Sequence, residues 1–194
     1  MFTLSIQVSH LAAALCIAST KDIRYYLNGV FLDAKSWNVV STDGRAMFCT
    51  KPGTVLLAEG DDLHDVILPA QFVADVVKAH KRDHVILITI DGTECRTATH
   101  ISKLIDGKFP NWRRIYPRTL AGKAGVQFDK ELLVQITKAN KALGVKSAGG
   151  YPIWTDDKES AAVAVLAGGE AHVVIMPIRE TASAPFTEFV PFAV

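Results

Sequence analysis

Three times along this chain a short strand-like run leads straight into one amphipathic helical stretch and then into about three more short strands. Neither an all-helical bundle nor a plain sandwich of strands accommodates that order, so the pattern points to α+β layering with helices gathered on one face. In the first passage a strand is predicted over 2–7. Val8, Leu11, Ala12 and Leu15 then fall at i, i+3, i+4 and i+7, one face of a helix. Strands follow over 24–33, 37–42 and 45–51, with turns at 33–36 and at Thr42-Asp43-Gly44, where Asp-Gly is a strong hairpin signal. Residues 52–62 read as a polar, glycine-containing connection. The second passage opens with a strand over 65–68. Pro69 suits the first turn of a helix over 69–80, whose buried face carries Val73, Val76 and Val77. Strands over 85–90, 94–100 and 102–105 follow, the first two joined through Asp91-Gly92. Residues 109–117 form an irregular linker containing Pro110 and Pro117. The third passage opens at 125–128. Asp129 is the expected N-cap of a helix that buries Leu132, Leu133, Ile136 and Leu143. Residues 144–150 break that helix, and strands are predicted over 151–155, 161–166 and 171–178. Residues 180–194, with Pro185 and Pro191, read as an extended tail.

Composition removes several classes of function. A chain of 194 residues that is 49% hydrophobic has enough apolar surface to bury a core and is unlike a disordered chain. No apolar run approaches the roughly 20 residues needed to span a bilayer, and the N-terminus lacks the basic segment of a secretory leader. Cys16, Cys49 and Cys95 are odd in number and widely spaced, which fits reduced thiols in a cytoplasmic protein rather than a disulfide framework. The six histidines show no zinc-type spacing, so no metal and no cofactor are expected. Asp43, Asp61-Asp62 and Asp156-Asp157 are turn residues by context. Ser9-His10 and Cys49 show no nucleophile–base pattern. Gly149-Gly150 and Gly168-Gly169 are not followed by the Lys-Ser or Lys-Thr of a phosphate loop. The chain therefore reads as a non-enzyme. A net charge of +1 leaves no global field for nucleic acid, so any contact with DNA must come from local segregation of charge.

Four segments carry a more specific signal. They are the linker stretch Asp106-Gly107-Lys108-Phe109-Pro110-Asn111-Trp112-Arg113-Arg114-Ile115-Tyr116-Pro117, then Arg24-Tyr25-Tyr26-Leu27-Asn28-Gly29, Ser41-Thr42-Asp43-Gly44-Arg45, and Val173-Val174-Ile175-Met176-Pro177-Ile178-Arg179. Together, and in their order along the chain, they resemble the bacterial DNA polymerase III β sliding clamp family: residues 2–117 its middle domain, and 173–179 its C-terminal strand. The resemblance implies a DNA-clamp fold of repeated strand–helix–three-strand units, with antiparallel sheets outside and helices on the inner face. Residues 1–117 would form one complete domain, 118–180 half of the next, and 181–194 a tail. The family's first domain and the first half of its third have no counterpart here, which leaves the closed ring open to question. The implied function is a replication and repair processivity factor that binds duplex DNA without sequence preference and docks DNA polymerase or other clamp-binding-motif proteins. The implied assembly is a homo-oligomer, with a four-chain ring as one form of closure. The alternative is a peptide-binding decoy or regulator that keeps the partner groove and has lost the ring.

The residues that match the family's peptide groove are Arg24, Leu27, Thr42, Gly44, Arg45, Met47, Pro110, Arg114, Ile115, Val174, Met176, Pro177, Ile178 and Arg179. Leu27, Ile115, Val174, Met176 and Ile178 would supply an apolar slot, and methionine adapts to differently shaped ligands. Arg114 and Arg179 would fix a polar end of the ligand, the usual composition of a small binding cleft. Where the family usually has Gly-His-Arg-Leu, this chain has Gly44-Arg45-Ala46-Met47. An ungapped match puts Met47 at the apolar wall and loses the family's arginine, whereas a one-residue gap lets Arg45 replace it. The competing reading is that the apolar members are ordinary strand core. Residues 186–192 of the tail, with spaced phenylalanines but no glutamine, are a rival occupant. For DNA, the expected phosphate-facing residues are Lys78, Lys81, Arg82, Lys130, Lys138 and Lys141, set away from the valines and leucines of their helices. The same pattern fits a solvated helix face. The first helix offers only His10 as a cation.

Overall fold

Two antiparallel sheets carry the chain, and the first two units exchange their opening strands. The computed structural model describes residues 1–51, 57–60 (backbone), 63–115, 127–145, 151–156 and 160–178. β1 (Phe2–Gln7) leaves its own unit and pairs with β7 (Val85–Asp91), which continues into β8 (Glu94–Arg96) and β9 (Ile101–Lys103). In return β6 (Val66–Pro69) pairs with β2 (Gly29–Asp33), next to β3 (Asn38–Thr42) and β4 (Ala46–Thr50). The exchange ties residues 1–51 to 63–105, because neither sheet is complete without a strand from the other half.

The third unit does not stand apart. Its β12 (Ala171–Ile175) adds antiparallel to β4, and β11 (Ala162–Leu166) and β10 (Ile153–Trp154) follow outward. The result is a seven-stranded sheet in the order β10-β11-β12-β4-β3-β2-β6. β5 (Leu57–Gly60) completes the other sheet, β5-β1-β7-β8-β9.

Three helices cover one face of this framework: α1 (Val8–Leu15), α2 (Ala70–Ala79) and α3 (Lys130–Ala142), with α1 touching both others. Their apolar residues, among them Leu11, Ala14, Val73, Val76, Leu132 and Ile136, meet Ile6, Phe48, Ile88 and Val173 in the main core. In β7 Ile86, Ile88 and Ile90 are buried while Val85 and Leu87 are exposed, the period-two alternation of a sheet covered on one face. β2, β3 and β4 are buried along their whole length, because a second cluster covers their other face.

Several boundaries differ from expectation for local reasons. Residues 24–28 do not extend β2. They form a 3₁₀ turn (Tyr25–Leu27), closed by Asn28, whose side chain accepts from Asp22 N and donates to Asp22 O, both at 2.8 Å. A Cβ on Gly29 would lie 2.5 Å from Leu68 O, so the start of β2 requires glycine. Pro69 ends β6 and caps α2 with an extended ψ of 136°, rather than entering the helix. Residues 57–60 form a strand, since β1 has a second edge to satisfy. α1 buries Val8, His10, Leu11, Ala13 and Ala14, whereas Ala12 and Leu15 of the predicted stripe are only half-buried, because the helix packs on two other helices as well as a sheet. β12 ends at Ile175, as Pro177 has no N–H for a ladder. Of the predicted third-unit opening at 125–128, Gln127 and Phe128 are described and form no strand, although Gln127 O accepts from Ile178 N at 2.9 Å. The tail, Pro117, Arg179 and Gly149-Gly150 lie outside the described residues.

Candidate functional site

Side chains alternate across the seven-stranded sheet, so every second residue of β4 and β12 points away from the helices. On that second face Val174 stands opposite Met47, and His172 opposite Cys49. Phe31, Val40, Ile67 and Val163 come from the neighbouring strands, Leu27 from the 3₁₀ turn, and Phe109 and Trp112 from the linker, to complete a second apolar cluster. Three predicted groove residues, Leu27, Met47 and Val174, thus meet in one place. They are 1%, 2% and 4% exposed, so they act as floor and not as open wall. Met47 itself points into this cluster.

Other predicted groove residues are exposed. Met176, Ile178 and Ile115 are 44%, 49% and 43% exposed, while Pro177 between the first two is buried. Met176 N reaches Arg45 O at 3.5 Å, which ties the residues after β12 to the turn before β4. That turn is organised from within. Thr42 Oγ1 accepts from Gly44 N at 3.0 Å and donates to Ala46 O at 2.7 Å. The Asp43 carboxylate accepts from Arg45 N and Ala46 N, both at 2.8 Å. Gly44 has φ +87°, and a Cβ there would lie 2.5 Å from Arg24 Nη2. Arg24 therefore lies flat against the turn, in space that only glycine leaves open.

The polar groups have partners that their spacing did not announce. Asp22 accepts from Arg24 Nε at 3.0 Å and from Nη2 at 2.6 Å. These bonds hold the Asp22 carboxyl down to about 2. Arg45 bridges to Asp129 at 3.3 Å. Pro110 and Arg114 are exposed, and Arg114 belongs with Ile115 to a 3₁₀ turn (Trp112–Ile115). The Trp112 indole fixes that turn by donating to Asp33 at 3.1 Å. An Asp two residues before an Arg is a weak local signal. The Asp33–Trp112 and Arg45–Asp129 pairings leave none, because their partners are far apart in the chain.

Beside this floor, on the same face, a cavity of about 340 Å³ is lined by Cys49, Trp112, Arg113, Lys51 and His172. A second cavity of about 750 Å³, lined by Tyr25, Phe31, Gly92, Thr93 and Phe109 among others, involves none of the predicted groove residues. Among the described residues no cluster of three or more His, Cys, Asp or Glu is placed to hold a metal ion. None of the described helices is long and apolar enough to cross a membrane.

The predicted basic residues lie on the helix side. Lys130, Lys138 and Lys141 are exposed on α3, and Lys78 is exposed on α2. Lys81 and Arg82 are exposed too, but they follow the C-cap His80 and so belong to the turn after α2, not to the helix. His10 is buried at 5% exposure. Burial pulls its pKa below the ordinary value, with Glu170 opposing, so α1 presents no cation to solvent at neutral pH.

Residues 7–111 match the family model of the DNA polymerase III beta subunit central domain. The chain belongs to this family. It is similar to the beta sliding clamp of Pseudomonas putida, 32% identical over 106 residues, which is 50% of this chain and 28% of that protein. It is 31% identical over 108 residues to the beta sliding clamp of Escherichia coli K12, again 50% of this chain and 28% of that one. The sequence match thus spans little more than a quarter of these relatives. Solved clamps share the fold over a longer stretch. The DNA polymerase sliding clamp of Pseudomonas aeruginosa superposes with a TM-score of 0.71 at 19% identity, over 92% of this chain and 67% of that one. The Helicobacter pylori beta clamp, solved with a DNA ligase peptide, gives 0.68 at 13% identity and the same share of this chain. The α+β layering expected from the strand–helix–three-strand pattern, and the clamp fold implied by the resemblance, are the fold observed.

Proposed function

We propose that this protein is a β-sliding-clamp-like processivity factor of DNA replication or repair, non-enzymatic and cytoplasmic, acting by docking partner peptides and holding them at duplex DNA. One observation carries the reading: β12 pairs with β4. That ladder sets Val174 opposite Met47 and brings Met176 to Arg45, so strands from two distant parts of the chain form one apolar floor. A preformed apolar surface with few polar anchors suits a short extended peptide carrying a glutamine and spaced Leu or Phe residues. Tethering such a partner raises its effective concentration at DNA. Residues 1–117 would be the complete domain and 118–180 the half-domain that supplies the opposite wall, with Arg179 at its end.

The test is titration of a labelled motif peptide into the protein. Binding on the order of micromolar is expected, because a short ligand buries little area and loses its own flexibility. Met176→Ala or Ile115→Ala should each cost about 1–2 kcal/mol through lost apolar contact. No binding by the folded protein refutes the groove.

Duplex DNA would be held by Lys78, Lys81, Arg82, Lys130, Lys138 and Lys141 through phosphates alone, with affinity falling steeply as salt rises. Charge reversal at Lys81 and Lys141 should abolish retention on a circular duplex. Homo-oligomerisation, up to a four-chain ring, would supply the closure that retention needs. The buried His10 favours a second reading, a groove-bearing regulator of clamp partners that does not encircle DNA, since α1 would then need no cation. Peptide binding without any salt-dependent DNA binding would select it.

A further inference from the structure

We propose that Asp33 is the positioning residue of the groove: it holds the turn that presents Arg114 and Ile115. The inference rests on the peptide-docking reading above. Asp33 ends β2, and its side chain is 2% exposed. A carboxylate so deep needs a full set of donors, and Asp33 has one. Oδ1 accepts from the backbone N–H groups of Lys35 at 2.9 Å and Ser36 at 3.2 Å, both within its own β2–β3 turn. Oδ2 accepts from two consecutive linker side chains, the Trp112 indole at 3.1 Å and the Arg113 guanidinium at 2.7 Å. Arg113 also donates to Ser36 Oγ and lies over the Trp112 ring, its guanidinium carbon 4.3 Å from the centroid.

One oxygen thus fixes the rigid end of a strand, and the other fixes residues 112 and 113 to it. The next two residues, Arg114 and Ile115, belong to the same 3₁₀ turn and are exposed. That turn is only four residues long, with Arg114 N donating to Asn111 O at 3.1 Å. A short 3₁₀ segment is weakly stable by itself. The direction in which Arg114 and Ile115 face the groove is therefore set by the Asp33 contacts made by their neighbours. Asp33 need not touch a ligand to control its binding. Pre-organisation of this kind lowers the ordering cost of docking.

The experiment is a double-mutant cycle between residues that do not bond to each other. A labelled motif peptide is titrated into the full chain as wild type, Asp33→Asn, Arg114→Ala and the double variant, with thermal melts and Arg114 amide hydrogen exchange recorded alongside. Asp33→Asn is expected to weaken binding about fivefold to tenfold and to speed exchange at Arg114. Arg114→Ala should cost several-fold in the wild type and almost nothing in the Asp33→Asn background. A merely structural Asp33 would leave the two losses multiplying in full, and that result overturns the proposal, as does unchanged binding by a folded Asp33→Asn protein. Should Asp33→Asn fail to fold, Trp112→Phe removes only the indole donor and must show the same non-additivity with Arg114→Ala. If the wild type binds no peptide, the docking reading itself has failed and the positioning role falls with it. Normal wild-type binding with independent losses sinks the positioning role alone.

Discussion

Arg45 Nη1 lies 3.3 Å from Asp129 Oδ2, joining the turn before β4 to the first residue ahead of α3. The other Asp129 oxygen caps that helix by accepting from Glu131 N at 2.8 Å. One carboxylate therefore starts α3 and docks it against the first unit. The two roles separate by mutation. Asp129→Asn keeps an N-cap acceptor and loses the ion pair. Both partners are partly exposed, so the pair itself is worth only about 0.2–1 kcal/mol. Asp129→Ala removes the cap as well and should cost about 1 kcal/mol more. Urea midpoints of the two variants, each with and without Arg45→Ala, check this. Equal losses for Asn and Ala would show that the cap contributes nothing.

His10 makes stability depend on pH in a definite direction. Burial lowers its pKa from the ordinary 6.5, with the Glu170 carboxylate pulling the other way, and burial also lowers that of His172. Below 6.5 the unfolded chain takes up a proton that the native imidazole refuses. The unfolded state then binds more protons, so stability is full above about pH 6.5 and is lost as pH falls from there towards the native pKa. Replacing His10 by Gln should flatten part of that acid slope in urea midpoints taken from neutral to mildly acidic pH. An identical slope in wild type, His10→Gln and the double variant with His172→Gln would remove both residues from the account.

Gly44 is expected to tolerate no side chain. Its φ of +87° is unfavourable for any L residue, and a Cβ would press on Arg24 Nη2 at 2.5 Å. Gly44→Ala should destabilise by roughly 1 kcal/mol or more. It should also displace Arg24 and release Asp22, whose carboxyl would climb from about 2 towards its ordinary value. The native depression means that the Asp22–Arg24 contribution is present in full above the ordinary carboxylate pKa and is lost progressively as pH falls from there through about 2. Titration of Asp22 by NMR in both proteins measures it directly. An unmoved pKa in Gly44→Ala would show that the turn does not hold Arg24.

Period and punctuation in the sequence were enough for the three helices, most strands and the α+β layering, while the clamp-type arrangement came from the resemblance. Val73 and Val76, or Leu132 and Ile136, fall on one helical face whatever surrounds them, and Asp129 announces its helix by chemistry alone. The linker and strand segments identified the family by the resemblance of their residue strings, although Trp112 and the β12 residues pack against distant parts of the chain. The sequence also named Leu27, Met47 and Val174 as neighbours, through resemblance rather than through any physical signal of their own. What no local pattern contains is which strand edges meet. The exchange of β1 and β6, the addition of β12 to β4 and the pairing of β5 with β1 depend on unsatisfied backbone edges finding each other across long stretches of chain. Those pairings decided that Leu27, Met47 and Val174 are a buried floor, that His10 is hidden from solvent, and that Asp33 reaches Trp112 and Arg113. Burial and long-range hydrogen bonding are properties of the assembled sheet, so they arise only once the tertiary structure has formed.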